Sequence, residues 1–266
     1  MAAGAVRAVT TAGELPDGLH GYVVATPAGV HLQNIAELLP RRCPIFVEKP
    51  LANDIPAALA LGDDPLARDI VFVMHKWRYH PGIVALAALI DSKTLGEVLG
   101  LRLQRTNWAP MHEGVDCALQ LLPHDLSIAL HLLGHLPPVE RVVPNPVGSP
   151  ETGLYVSMAD RAAGRRVTIE ANNLIPGNIR ACSVGFEQGV AQVSSLSQGK
   201  MELRRQDRPE APEHIALPSE MPLFNELRAF AGYLSGGPRP LSPLSDELLI
   251  LRHIDEIQGH LYGGAT

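Results

Sequence analysis

Cysteine is scarce in this chain: three in 266 residues, at positions 43, 117 and 182, with no CxxC pair. An odd number without paired spacing argues against a disulfide framework or a structural zinc site. Cys43, Cys117 and Cys182 read instead as small buried apolar residues of a cytoplasmic protein. Excess positive charge is also missing. Lys+Arg number 22 against Asp+Glu 28, a formal charge of -6, whereas a nucleic-acid binder needs a basic footprint. The local basic run Arg161 to Arg166 reads as a charged hairpin turn. No apolar run reaches the roughly 18 to 20 residues of a membrane span. The first residues, MAAGAVRAVTTAGELPDG, carry acidic residues and Pro without an apolar stretch, unlike a signal peptide. No HExxH-like spacing links the histidines, so no metal is expected. Finally, no strand-like segment leads into a GxGxxG turn, the usual seat of a dinucleotide pyrophosphate.

What is present is ordinary globular composition, 46% hydrophobic and 19% charged, in a definite order. HGYVVATP, CPIFVEKP and DIVFVMHKW are short apolar runs of the kind that form strands buried on both faces. Between them AGVHLQNIAELLPRR has apolar residues at helical spacing, and NDIPAALALGDDPLA reads as helix or turn. Strands alternating with helical crossovers predict a parallel sheet. All strands of such a sheet point the same way. Thr26-Pro27, Glu48-Lys49-Pro50 and His75-Lys76-Trp77-Arg78 therefore leave along one carboxyl edge, where open α/β sheets bind ligands.

After the helical stretch PGIVALAALIDSKTLGEV the period changes. LGLRLQRTNW alternates as a half-exposed strand, and 153–206 contains hairpin-like pairs, which predict an antiparallel sheet. DCALQLLPHDLSIALHLLGH is helical with a break expected at Pro123, so that His124 would sit at a helix start. The Pro-rich stretch 207–220 reads as a loop. Two amphipathic helices, separated by Gly236-Gly237-Pro238, close the chain.

At this point the residues resemble a known family. VVATPAGVH at 23–31 followed by IFVEKPLA at 45–52 is similar to the ATPxxxH and EKPLA segments of Gfo/Idh/MocA oxidoreductases. HKWRYHP at 75–81, LQLLPHDLSIALHLLG at 119–134 and PLFNELRAFAGYL near the end follow in that family's order. The resemblance covers nearly the whole chain from about residue 5. It implies an α/β plus α+β protein: an incomplete Rossmann-type parallel sheet, then a domain with a large open antiparallel sheet flanked by helices. The expected boundary divides residues 1–80 from 81–266.

The implied activity is hydride transfer between a nicotinamide cofactor, NAD or NADP, and a sugar, inositol or similar polyol or ketone. Residue by residue, Lys49 corresponds to the lysine beside the nicotinamide and the reacting hydroxyl. His124 corresponds to the pocket histidine that exchanges the proton. Thr26, Pro27, His31, Glu48, Lys49 and Arg78 would frame the cofactor, and Gln120 and Asp125 would belong to the substrate pocket. Gln120 departs from the pattern, which often carries Asp there; Asp125 and Asp116 are candidate substitutes. Trp77 and His80 are read as packing residues.

The segment AVRAVTTA would correspond to the family's third Rossmann strand, placing the first βαβ unit before Met1. Three accounts stay open: a fragment or late start, a truncated member with altered cofactor binding, or a missing element supplied by another chain. Homo-oligomerisation is expected from the family. The alternative function is a non-redox ligand-binding or oligomer-partner protein of the same family.

Overall fold

The computed structural model describes residues 9–109, 115–194 and 199–263. Along the chain these form β1 (Tyr22–Val24), α1 (His31–Leu38), β2 (Ile45–Val47), α2 (Ile55–Ala60), α3 (Pro65–Ile70) and β3 (Val71–Val73). Next come α4 (Pro81–Ser92), β4 (Val98–Trp108), α5 (Cys117–Leu133), β5 (Val139–Pro144), β6 (Gly153–Asp160), β7 (Arg165–Asn172) and β8 (Leu174–Phe186). The chain closes with β9 (Gly189–Val193), β10 (Lys200–Arg205), β11 (Arg208–Ala216), α6 (Pro222–Leu234) and α7 (Leu244–Tyr262).

β1, β2 and β3 pair in that order, all parallel, in a common register: Tyr22 with Ile45 with Val71, and on to Val24 with Val47 with Val73. Every residue of β2 and β3 is buried, as the unbroken apolar runs predict for a sheet covered on both faces. On one face Ile35 and Leu38 of α1 join the main core. On the other, Phe230 of α6 stacks on Phe46 at 4.7 Å and Tyr233 meets Phe72 edge-on at 5.3 Å. The chain's last two helices thus return to its first sheet, α7 lying against α2, α3 and β3. Asp54 and Asp64 cap α2 and α3 by accepting from Ala57 N and Leu66 N, which explains helix starts immediately before Pro56 and at Pro65.

The second sheet has eight strands in the order β11-β10-β9-β8-β4-β7-β6-β5. It is antiparallel except where β4 lies parallel to β7, so it is mixed. The parallel pair arises because α5 and the β5–β6 hairpin intervene between β4 and β7. Leu101, Leu103, Val156, Val167 and Ile169 turn one face of the sheet to the core with α5.

Two local expectations are overturned. Residues 208–216 form a strand, not a loop. β11 is the edge of the sheet, and an edge tolerates Pro209 and Pro212 because not every N–H there is needed for pairing. Pro123 does not break the helix: α5 runs unbroken from Cys117 to Leu133. Its ring removes only the bond that Leu119 O would accept, and burial of Leu119, Leu122, Leu126 and Ile128 outweighs that loss. Consequently His124 lies mid-helix, and the start of α5 is Asp116, whose Oδ1 accepts from Leu119 N at 2.8 Å.

Of the strand expected at 5–12, residues 5–8 lie outside the described residues; residues 9–12 lead into a short 3-10 turn at Ala12–Glu14. The three cysteines are unpaired, Cys117 and Cys182 fully buried and Cys43 half-buried. Burial pushes the Cys117 thiol up to about 12, so it stays protonated and inert. Among the described residues, no helix is long and apolar enough to cross a membrane.

Candidate active site

The carboxyl edge of the parallel sheet is drawn tightly together. Glu48 N donates to Val24 O (2.9 Å) and Met74 N to Val47 O (2.8 Å), so the ladder continues into the polar turns. His31, buried at the start of α1, links two of those turns: Nε2 contacts Thr26 O at 2.7 Å and Nδ1 contacts Pro50 O at 3.0 Å. The Lys49-Pro50 bond is cis. His31 therefore acts as a clamp between the turns. Thr26 and Pro27 are exposed beside it, with Thr26 Oγ1 donating to Asn34 at 2.7 Å. Glu48 Oε2 accepts from the Lys49 amide at 3.1 Å.

Lys49 reaches across to α5. Its Nζ donates to Gln120 O at 3.0 Å, four residues before His124 and so one helical turn away. Burial, and after it the Arg105 guanidinium, lowers the Lys49 ammonium to about 8. Gln120 makes this contact through its main chain, while its side-chain oxygen accepts from Asn173 at 3.2 Å. His124 stands half-buried in the cleft wall, and among the described residues its Nδ1 has no partner. Burial holds its pKa well below the ordinary histidine value, and the Lys49 and Arg105 charges add to that. Desolvation thus favours the neutral form of His124, whose ring lies mid-helix and not at the helix start expected from the sequence.

His124 faces a cleft of about 620 Å³ between α5, the segment after β3, strands β4 and β8, and the 217–223 turn before α6. Trp77 forms its floor. Three cations lie over that indole: Arg105 at 5.2 Å, Arg180 at 5.6 Å and Lys76 at 5.7 Å from the ring centre. His124 meets the same ring edge-on at 6.3 Å. His80 also lines the cleft, its Nδ1 accepting from Gly82 N at 3.0 Å. Trp77 and His80 are therefore cleft residues as well as packing residues.

Other expected site residues lie behind the wall or away from it. Asp125 forms a buried bidentate pair with Arg105, Nε to Oδ2 and Nη2 to Oδ1 both at 2.9 Å. Burial raises its carboxyl and the guanidinium opposes that rise. Arg78 is 1% exposed. It donates to Ser127 Oγ (2.8 Å), Asp246 Oδ2 (2.5 Å) and Leu241 O, tying the turn after β3 to α5 and to the start of α7. Asp116 is engaged by Gln258 and Tyr262 of α7, at 2.8 and 3.0 Å, and does not reach the cleft.

Sequence reasoning placed Lys76 on the sheet edge but missed Arg105, Asn107 and Arg180 as wall residues. One signal was available for Arg105: it follows Leu101 and Leu103 at strand spacing, a charge on the apolar face. Arg180 lies opposite it in the β4–β8 register, a pairing that the sequence does not display.

No family model matches the chain. Among curated proteins, it is 28% identical over 162 residues to inositol 2-dehydrogenase of Mycolicibacterium gilvum, covering 56% of this chain and 45% of that protein. It is 23% identical over 194 residues to inositol 2-dehydrogenase of Gluconacetobacter diazotrophicus, 70% of this chain and 55% of that protein. The chain thus spans about half the length of the curated relatives it matches. Among solved structures, the inositol dehydrogenase homologue of Azotobacter vinelandii complexed with NAD+ superposes with a TM-score of 0.78 at 18% identity, covering 96% of this chain and 79% of that one. Levoglucosan dehydrogenase in complex with NADH and levoglucosan gives 0.78 at 16% identity, with 93% and 79% covered. The chain is thus similar in sequence to inositol 2-dehydrogenases and similar in fold to these two solved dehydrogenases, with its VVATPAGVH and IFVEKPLA segments drawn together at one sheet edge.

Proposed function

We propose that the chain carries the substrate and nicotinamide side of an oxidoreductase acting on an alcohol or ketone of a sugar, inositol or related polyol. The observation that carries this reading is the juxtaposition of Lys49 and neutral His124 across one turn of α5, beside the sheet edge that ends in Thr26-Pro27 and Glu48-Lys49. Related chains whose structures hold NAD+ or NADH share this fold, and a nicotinamide cofactor, NAD or NADP, would accept or supply the hydride. The residues present fit the nicotinamide end of such a cofactor: exposed Thr26 and Pro27 offer surface beside a half-buried Lys49 held by Gln120. They do not fit the pyrophosphate end, because no GxGxxG turn follows β1, β2 or β3.

In oxidation, neutral His124 takes the hydroxyl proton through an unprotonated ring nitrogen. The Lys49 ammonium stabilises the negative charge that develops on that oxygen, more strongly inside the wall than it would in water. Gln120 O fixes the ammonium's position, and His31 fixes the turn that bears it. Glu48 shapes the same turn. Arg78 and Asp125 serve as positioning residues, holding respectively the turn after β3 and Arg105. We take the unit division near residue 80 and self-association of the open sheet as parts of the same reading.

Titration of the chain with NADH and NADPH, followed by turnover on a panel including myo-inositol, tests the proposal. Saturable nicotinamide binding, with activity lost in Lys49→Ala and His124→Ala, supports it. Binding of polyol without either nucleotide favours the non-redox alternative, and activity that survives Lys49→Ala removes the mechanism.

A further inference from the structure

The cleft contains an arrangement that the proposed chemistry does not require. Arg105 and Arg180 are directly opposite each other on the antiparallel strands β4 and β8. Like charges at such a position are destabilising. Only Arg105 is hydrogen-bonded to a carboxylate: Asp125 pairs with it in both hydrogen bonds and acts on Arg180 through space alone. Among the described residues, Arg180 has no ion pair and no hydrogen bond, and its contact is the Trp77 ring. Lys76, on the same ring, is likewise without a carboxylate partner. Glu220 also lines the cleft but is already bonded to Arg228 at 3.0 Å. Among the described residues, the remaining titratable groups facing the cleft are His80 and His124.

A half-buried guanidinium opposite another guanidinium is costly to keep, and an anion between the two unpaired cations would repay that cost. The guanidinium fork suits a carboxylate or a phosphate. Neighbouring groups register the same field. Burial and the Arg105 charge depress Arg180 itself, and Arg105 and Lys76 both contribute to lowering Lys49 and His124.

Resting on the reading of this cleft as the polyol site, we propose that its substrate carries an anionic group, a carboxylate or a phosphate, held by Arg180 and Lys76 above Trp77. Neutral polyols would leave both cations unpaired.

The test is calorimetric titration of the full chain with three probes of one ring size: D-glucose, D-glucuronate and D-glucose 6-phosphate. No nucleotide is needed, so the result is separable from that of the redox reading. The expected result is that at least one anionic probe binds tenfold or more tightly than glucose, the stronger one identifying carboxylate or phosphate. Arg180→Gln should weaken the favoured anion by roughly 10- to 100-fold and leave glucose within a factor of two to three. Lys76→Gln should act in the same direction. Because Arg180→Gln removes a like-charge pair, the variant should melt no lower than the parent, so lost binding cannot be attributed to unfolding. Equal binding of all three probes, or an Arg180→Gln effect equal for glucose and the anions, overturns the proposal. Anion preference without nicotinamide binding would sustain this proposal while refuting the redox reading; nicotinamide-dependent turnover of neutral polyols with no anion preference would do the reverse.

Discussion

Asp125→Asn is the most informative single change in the chain. The substitution preserves shape, so no cavity forms, but it removes the one carboxylate bonded to Arg105 among the described residues. Asp125 is 2% exposed and Arg105 3% exposed. Two hydrogen bonds of 2.9 Å join them, and the amide that replaces one oxygen presents N–H groups to a guanidinium that can only donate. The loss therefore combines a charge-assisted bidentate contact with an uncompensated buried cation, about 3–5 kcal/mol. Arg180, another cation, sits across the strand pair, so that neighbour cannot replace the lost negative charge. At about 2–4 °C per kcal/mol for a chain approaching this size, melting should fall by roughly 6–20 °C. Urea unfolding at neutral pH gives the free energy directly. The companion double variant Arg105→Met/Asp125→Leu removes both charges and should recover most of the loss, because a buried pair replaced by apolar groups is often neutral. A cost below about 1 kcal/mol for Asp125→Asn, or a double variant as unstable as the single one, would show that the pair is not the buried unit described.

Three further perturbations follow from the same geometry. Glu226 on α6 is fully buried without a hydrogen bond of normal geometry to either oxygen, and burial, then the Glu48 charge, raises it to about 8. A raised carboxyl favours the folded state fully below its unfolded value near 4.5, and that contribution is lost as pH rises toward 8. Glu226→Gln should therefore match the parent in acid and exceed it by roughly 3–5 kcal/mol at pH 8 and above, as measured by urea unfolding across pH; a gain independent of pH contradicts the assignment. For Lys49, NMR titration of labelled lysine should show deprotonation near pH 8, and Lys76→Gln should move it upward because one of the depressing charges is gone; a midpoint near 10.5 in the parent would show that the ammonium is not buried. Asp116→Ala removes the cap on Leu119 N and the contacts to Gln258 and Tyr262. It should cost about 1–2 kcal/mol, with hydrogen exchange accelerating at both the start of α5 and the end of α7; loss at only one end would separate the two roles.

The sequence by itself determined the three short parallel strands, the crossover helices and the convergence of Thr26-Pro27, Glu48-Lys49 and His75-Lys76-Trp77-Arg78 on one edge. Those features follow from local periodicity and from the common direction of strands joined by helices. Local composition misled at two places. The proline-bearing segment 208–216 is an edge strand, and α5 passes through Pro123. In both cases a neighbour compensates for what proline removes, and a neighbour cannot be read from a linear window. The charge balance of the cleft was decided only by tertiary structure. Register sets Arg105 opposite Arg180, a residue 75 positions later in sequence. Packing of α5 on β4 gives one of them to Asp125, and the turn after β3 slides Trp77 beneath both. The same packing dehydrates Lys49 and His124. The candidate residues were legible because motif chemistry is local. Their protonation, and the unpaired charge beside them, depend on burial and on distance, which exist only once the chain is folded.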